Sequence, residues 1–239
     1  MTKPIKTFID GDSIAYASAY CEHPSQMEQA FDNYIKDIVD ATKCESYQGF
    51  VEDPDIRGNF RKWVAVTRPY KGNRRSAKPP WLREAKLLAK TRYNFQFVRH
   101  AESEDAASIC AHEYGLSNCY IAAIDKDLHQ VPATFYDYKK KEWLVVDQLT
   151  ADWNLWKQVL MGDSVDNIPG IPGCGPKKAD DILTSRTMGF DGNCNATARA
   201  YKDAGFNYQY WLEQCRLIFI LRKRNEVFTP LTIEQWSEL

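Results

Sequence analysis

Several absences narrow the reading before any motif is considered. The seven cysteines stand at 21, 44, 110, 119, 174, 194 and 215, and no two of them form a C-x-x-C pair. An odd, dispersed set argues against a zinc ribbon or a disulfide framework and fits free thiols in a reducing compartment. The four histidines (23, 100, 112, 129) make no H-E-x-x-H arrangement, which disfavours a zinc hydrolase. No Ser–His pairing with a glycine-rich elbow supports a nucleophilic triad. Strongly apolar runs are as short as Leu217–Leu221, too short to span a bilayer. Met1–Lys6 lacks the apolar core of a secretory signal, which points to the cytoplasm. No internal repeat or low-complexity linker stands out.

What is present is an ordinary globular composition: 239 residues, 44% apolar and 26% charged. That length fits one domain or two closely packed ones. Net charge is −1, but between Arg68 and Arg92 nine basic residues face a single acid, Glu84, so this segment carries +8 and the rest −9. A solvated surface usually mixes its signs, so the asymmetry needs a cause.

Short β-rich runs at Thr7–Ile9, Tyr47–Val51, Phe95–Val98 and Cys119–Ile124 alternate with helical periodicity over Met27–Val39, Trp81–Ala89 and Ala106–Tyr114. Phe135-Tyr136 and Trp143–Val146 flank Lys139–Lys141 as a hairpin. From Thr150 onward the pattern is helical: Asp152–Met161, Pro176–Leu183, Ala196–Ala204 and Tyr210–Lys223. The expected fold is α/β, a mainly parallel central sheet flanked by helices, followed by a helical C-terminal part. The boundary is expected near residue 150, with a core over 1–149 and a helical part over 150–239. Trp153 and Trp156, three apart on a helix, read as core.

Carboxylates recur at the ends of these elements: Asp10/Asp12, Glu102/Glu104/Asp105, Asp125/Asp127 and Asp163/Asp166. In an open α/β sheet the carboxyl ends of the strands converge on one crevice. Carboxylates gathered there repel one another, and hard oxygen-seeking cations such as Mg²⁺ or Mn²⁺ relieve that repulsion. For any one pair, helix capping is an equal reading; four sets together favour metal.

Met161–Ala179 is the most specific stretch. Gly170, Gly173 and Gly175 permit close backbone approach, and Pro176 opens a helix with Lys177 and Lys178 beside its free N–H groups. This suits a nucleic-acid phosphate and reads no base. Arg68-Pro69-Tyr70-Lys71-Gly72-Asn73-Arg74-Arg75 combines phosphate-seeking cations with an aromatic, Tyr70, able to stack on a terminal base.

Together these motifs resemble the 5′-nucleases: flap endonucleases, the 5′-nuclease domain of bacterial DNA polymerase I, and phage 5′→3′ exonucleases. Ile9-Asp10-Gly11-Asp12 is similar to the first metal motif and Tyr70–Arg74 to the arch-base motif. Glu102–Asp105 is similar to E-x-D-D with Glu104 in place of Asp, Asp125-Lys126-Asp127 to D-x-D, and Gly162–Gly175 to the last metal motif plus helix–three-turn–helix (160–185). Asn59–Lys62, Ala151–Trp153 and Leu221–Asn225 look like the exonucleases of short-tailed phages.

The resemblance implies a PIN-like core and a Mg²⁺-dependent 5′→3′ exodeoxyribonuclease with flap activity on duplex DNA, in phage replication or recombination. Its two ions (Mn²⁺ substituting) would be held by Asp10, Glu102, Glu104, Asp105, Asp125, Asp127, Asp163 and Asp166. At the second strand Glu52, Asp53 and Asp55 compete for a further ligand, with Asp53 favoured. It also implies Lys71 and Arg74 acting on the scissile phosphate, Tyr70, Arg75, Gly170, Gly173, Gly175, Lys177 and Lys178 on DNA, and K⁺ at the helix–three-turn–helix. The basic segment 68–92 is placed at the clamp or arch; the stretch from Arg74 to Glu102 is short for a full helical arch, and a partial clamp is expected. Removal of RNA from an RNA/DNA hybrid, and an inactive DNA-binding module, are the alternatives.

Overall fold

Strand β1 (Lys6–Asp10) is the hub, with Thr7, Phe8, Ile9 and Asp10 all buried. It pairs in parallel with β2 (Ser46–Glu52) on one side and β4 (Cys119–Ala122) on the other. In this computed structural model, which describes residues 5–239, the six strands run β3-β2-β1-β4-β5-β6. Strands β3 (Gln96–Val98) and β5 (Thr134–Asp137) extend the parallel sheet, and β6 (Glu142–Val145) closes one edge antiparallel. The parallel strands are near-continuous apolar runs because helices cover both faces. Most of the N-terminal stretch read above as lacking a secretory core lies outside the described residues. Among the described residues no helix is long and apolar enough to cross a membrane.

One face is covered by α1 (Asp12–Ser18), α2 (Pro24–Thr42) and α4 (Leu82–Tyr93), through Ile14, Phe31, Ile35, Ile38, Ala85 and Ala89. The other holds α5 (Ser103–Tyr114), whose Ala107 and Ala111 let it lie close against Phe8, Phe50 and Ile121. The short α3 (Phe60–Val64) leads into the basic segment, where every residue from Gly72 to Lys78 is exposed. A separate helical core joins α6 (Gln148–Met161), α7 (Pro176–Leu183), α8 (Gly189–Asp203) and α9 (Tyr208–Ile218) around Trp156, Tyr201 and Trp211, with α10 (Ile233–Ser237) adding Trp236. Trp153 and Trp156 are core.

The helix expected over Tyr210–Lys223 ends at Ile218 instead. Beyond it the backbone finds better partners: Ile220 N–H donates to Gln130 Oε1 at 2.9 Å and Leu221 N–H to Asp105 Oδ1 at 3.1 Å. Phe219 stacks on Phe228, with ring centroids 3.8 Å apart.

After α6 the chain doubles back so tightly that Gly162 (φ 70°) and Gly170 (φ 58°) touch backbone to backbone. A Cβ on Gly170 would lie 2.4 Å from Gly162 N, so only glycine fits.

Candidate active site

The parallel strands end on one rim, where β1 delivers Asp10, β2 delivers Glu52, and the turn after β4 delivers Asp125 and Asp127. Helix α5 starts beside them. Its capping box pairs the Glu102 side chain with the Asp105 N–H and the Asp105 side chain with the Glu102 N–H. The turn after α6 adds Asp163 and Asp166.

Asp10 is buried; it accepts from Ser103 Oγ, from the Asp12 N–H (3.3 Å) and from Ser13 Oγ (3.3 Å). Burial, reinforced by Asp12 and Asp125, pushes its carboxyl up to about 7 in spite of the Ser103 bond. Burial, followed by Glu102 and Asp125, raises Glu104 well above the carboxylate range. Burial, Asp125 and Asp163 push Asp127 up to about 7, although Gln158 Nε2 donates to it at 2.7 Å. These shifts mark carboxyl groups that are buried first and crowded by one another second.

Cations have already moved in on part of it. Lys71 Nζ bonds Glu102 and lies 3.6 Å from Asp166, while Arg74 Nη2 donates to Asp166 at 2.6 Å. Asn59 Nδ2 donates to Glu102 at 2.9 Å and Arg61 sits 3.5 Å from it. Burial opposes ionisation of Glu102, yet Arg61 and Lys71 hold its carboxyl down to about 2. On the far side Lys86, itself buried, meets Asp12 at 2.6 Å and Glu52 at 3.6 Å. Burial and Asp12 push Glu52 up to about 7.

Four expected site residues are engaged otherwise in the structure. Tyr70 offers no face to a base: it is buried in the helical core, and its hydroxyl lies between Glu102 (3.0 Å) and Asp166 (2.7 Å), donating to them. Asp105 is fully buried and its acceptors are taken by Arg61 (2.6 and 2.9 Å) and by the N–H groups of Glu102 and Leu221, which leaves no free oxygen for an ion. Gly170 has no free backbone for a phosphate, since its N–H donates to Gln214 Oε1 (3.1 Å) and its carbonyl accepts from Tyr210 (3.0 Å).

Asp53, favoured at the second strand, pairs instead with Arg99 at 2.9 Å, and the Asp55 N–H and Arg99 hold its carboxyl below the usual range. The exposed Asp55 pairs with Arg83, so of the three contenders Glu52 is the one beside the acidic rim. Arg75, Gly173, Gly175, Lys177 and Lys178 are exposed, around the start of α7 and in the basic segment.

Sequence reasoning missed four contributors. Arg61, 1% exposed, grips Asp105 and also donates to the carbonyls of Leu217 (3.0 Å) and Phe219 (2.9 Å). Glu213 on α9 accepts from the N–H groups of Val66 (2.7 Å) and Thr67 (2.8 Å), holding the chain just before the basic turn. Ser103 and Lys86 complete the set. The resemblance at Asn59–Lys62 marked the neighbourhood of Arg61, but nothing local pointed to its partner Asp105.

The donors around the rim are all oxygen, and the buried excess of negative charge suits a hard divalent cation. Among the described residues, however, no three of these side chains converge closely enough to hold one ion in common. The fit is therefore one of chemistry and charge.

No protein-family model matches the chain. DNA polymerase I of Rhizobium leguminosarum is 38% identical over 72 residues, covering 26% of this chain and 7% of the polymerase. The bacteriophage T5 D15 flap endonuclease, in a complex with DNA and metal ions, superposes with a TM-score of 0.67 at 14% identity, over 90% of this chain and 88% of that one. T5 5′-exonuclease with bound zinc gives 0.67 at 15% identity, over 90% and 89%. The Rad2 catalytic core with DNA substrate gives 0.51 at 14% identity, over 87% and 68%. These superpositions rest on the six-stranded, mostly parallel sheet and its flanking helices, and the chain has the fold of the 5′-nucleases.

Proposed function

We propose that this chain is a divalent-metal-dependent 5′-nuclease that hydrolyses phosphodiester bonds of duplex DNA from a 5′ end, with structure-specific cleavage at flaps, in phage DNA replication. The observation that carries the reading is the acidic rim on this particular fold, where burial, and after it the neighbouring carboxylates, raises Asp10, Glu104 and Asp127. Asp10, Glu104, Asp125, Asp127 and Asp163 would hold two Mg²⁺ ions. Bound there, the ions would supply an activated water and neutralise charge on the phosphate.

The protein's own groups divide the remaining work. Lys71 and Arg74, aimed at the rim, stabilise negative charge on the scissile phosphate. Glu102 and Asp166 hold those cations in place, and Tyr70 fixes both carboxylates. Asp105 acts as the support that orients the start of α5. Lys177 and Lys178, exposed at the α7 N-terminus with Gly173 and Gly175, grip the duplex backbone, and K⁺, which the resemblance implies, would be held at the same turn.

The test is cleavage of a 5′-labelled duplex, a nicked duplex and a flap, with Mg²⁺ and with EDTA. Mg²⁺-dependent release of short 5′ products is expected, and Asp125→Asn or Asp163→Asn should nearly abolish it while duplex binding stays measurable. Turnover at the wild-type rate from either variant refutes the metal assignment.

A further inference from the structure

The basic turn and the acidic turn are joined by more than charge. The acidic turn is closed by paired bonds, Asp163 N–H to Ile168 O (2.8 Å) and Ile168 N–H to Asp163 O (2.7 Å), and Asp163 Oδ1 accepts the Val165 N–H at 2.7 Å. Against it lies the turn 69–74, and besides the bonds of Tyr70 and Arg74 to the Asp166 carboxylate, three bonds to backbone carbonyls cross between the two. Lys71 N–H donates to Asp166 O (2.9 Å), Asn167 Nδ2 to Pro69 O (2.9 Å) and Asn73 Nδ2 to Ser164 O (2.6 Å).

Two of these bonds come from asparagine carboxamides, each aimed at a backbone carbonyl of the opposite turn. Asn167 is in the left-handed region (φ 63°), and so is Lys71 (φ 55°). Asparagine tolerates that conformation, and its Nδ2 can still donate, so one residue meets both needs of the position. Glycine would keep the backbone but lose the donor. Aspartate would keep the shape but turn a carboxylate oxygen toward the Pro69 carbonyl.

We propose that Asn167 and Asn73 are positioning residues that clasp the 69–74 turn to the 163–167 turn, so that Lys71, anchored beside Asp166, meets the reacting phosphate in one fixed position. The inference rests on the nuclease reading and on the role given to Lys71.

The experiment is steady-state cleavage of a 5′-labelled duplex in Mg²⁺ by Asn167→Asp, Asn167→Gly, Asn73→Ala, Lys71→Ala and the double variant Asn167→Asp/Lys71→Ala, with melting temperature read alongside. Asn167→Asp should lower kcat about tenfold with KM within about twofold. Asn167→Gly, the variant least disturbing to the backbone, should lower kcat by a smaller factor, as should Asn73→Ala. The double variant should be no slower than Lys71→Ala alone, which a merely destabilising change would not produce.

Wild-type kcat in both Asn167 variants overturns the clasp. So does a double variant slower than Lys71→Ala by the full Asn167→Asp factor. Lys71→Ala at the wild-type rate overturns the role of Lys71, and with it the purpose of the clasp. That failure is distinguishable from failure of the nuclease reading, which would show as absent cleavage in the wild-type protein.

Discussion

Replacing Arg61 by methionine removes a cation that makes four hydrogen bonds while keeping most of its volume. The guanidinium makes two short bonds to the fully buried Asp105, lies 3.5 Å from Glu102 and caps the carbonyls of Leu217 and Phe219. Breaking a buried pair from one side costs about 3–5 kcal/mol, because the surviving charge is left without its partner. Asp105 would keep the N–H groups of Glu102 and Leu221, which places the loss toward the lower end. For a chain of this size each kcal/mol shifts the melting temperature by about 2–4 °C, so Arg61→Met should melt about 10 °C below the wild type. Asp105→Asn leaves the arginine short of its counter-charge, and the double variant should be less destabilised than the two singles together by at least about 1 kcal/mol. Thermal melts of the four proteins followed by circular dichroism give the cycle. A melting point for Arg61→Met within about 2 °C of wild type, or strict additivity with Asp105→Asn, would refute the account of Arg61 as a structural tie between α3, α5 and the segment after α9.

The raised carboxyls of Asp10, Asp127 and Glu52, each near 7 in the fold against ordinary values of 3.8 to 4.5, make the folded chain bind more protons than the unfolded one between about pH 4 and 7. Their contribution to stability is therefore lost as pH rises through 7, and the melting temperature in EDTA should fall from pH 6 to pH 8; a rise across that range contradicts the electrostatic picture. Mg²⁺ should raise the melting temperature more at pH 8 than at pH 6. At pH 7 its binding should release protons, read by titration calorimetry in buffers of different ionisation enthalpy. Lys177→Ala/Lys178→Ala should weaken duplex binding without changing sequence preference and should reduce the salt slope of log K by about 2; an unchanged slope removes these lysines from the DNA interface.

The sheet was legible because buried parallel strands are short apolar runs, and β1, β2 and β4 stand out in the sequence for that reason. The acids were legible as sets because each falls where such a run or a helix ends. Their partners were not. Arg61 meets Asp105 from 44 residues away and Leu217 from 156, separations at which no local pattern carries information. The same holds for Glu213, whose bonds to Val66 and Thr67 reach across about the same span. Tyr70 misled because basic neighbours make an aromatic look like a stacking surface, whereas its hydroxyl is drawn inward by two carboxylates. The end of α9 was misjudged because helical periodicity continues past Ile218, while tertiary acceptors capture the next N–H groups.

The uninterrupted exposure of Gly72 through Lys78, with no helix or strand among them, also makes this stretch accessible to a protease. Trypsin would find Arg74 and Arg75 there, while Lys78 is guarded by the proline that follows it. A nick after Arg75 would leave Lys71 fastened beside Asp166 and α4 still seated on the sheet. The two fragments would then travel as one particle in native buffer and part only in denaturant, and a strand of substrate lying over the segment would delay the cut.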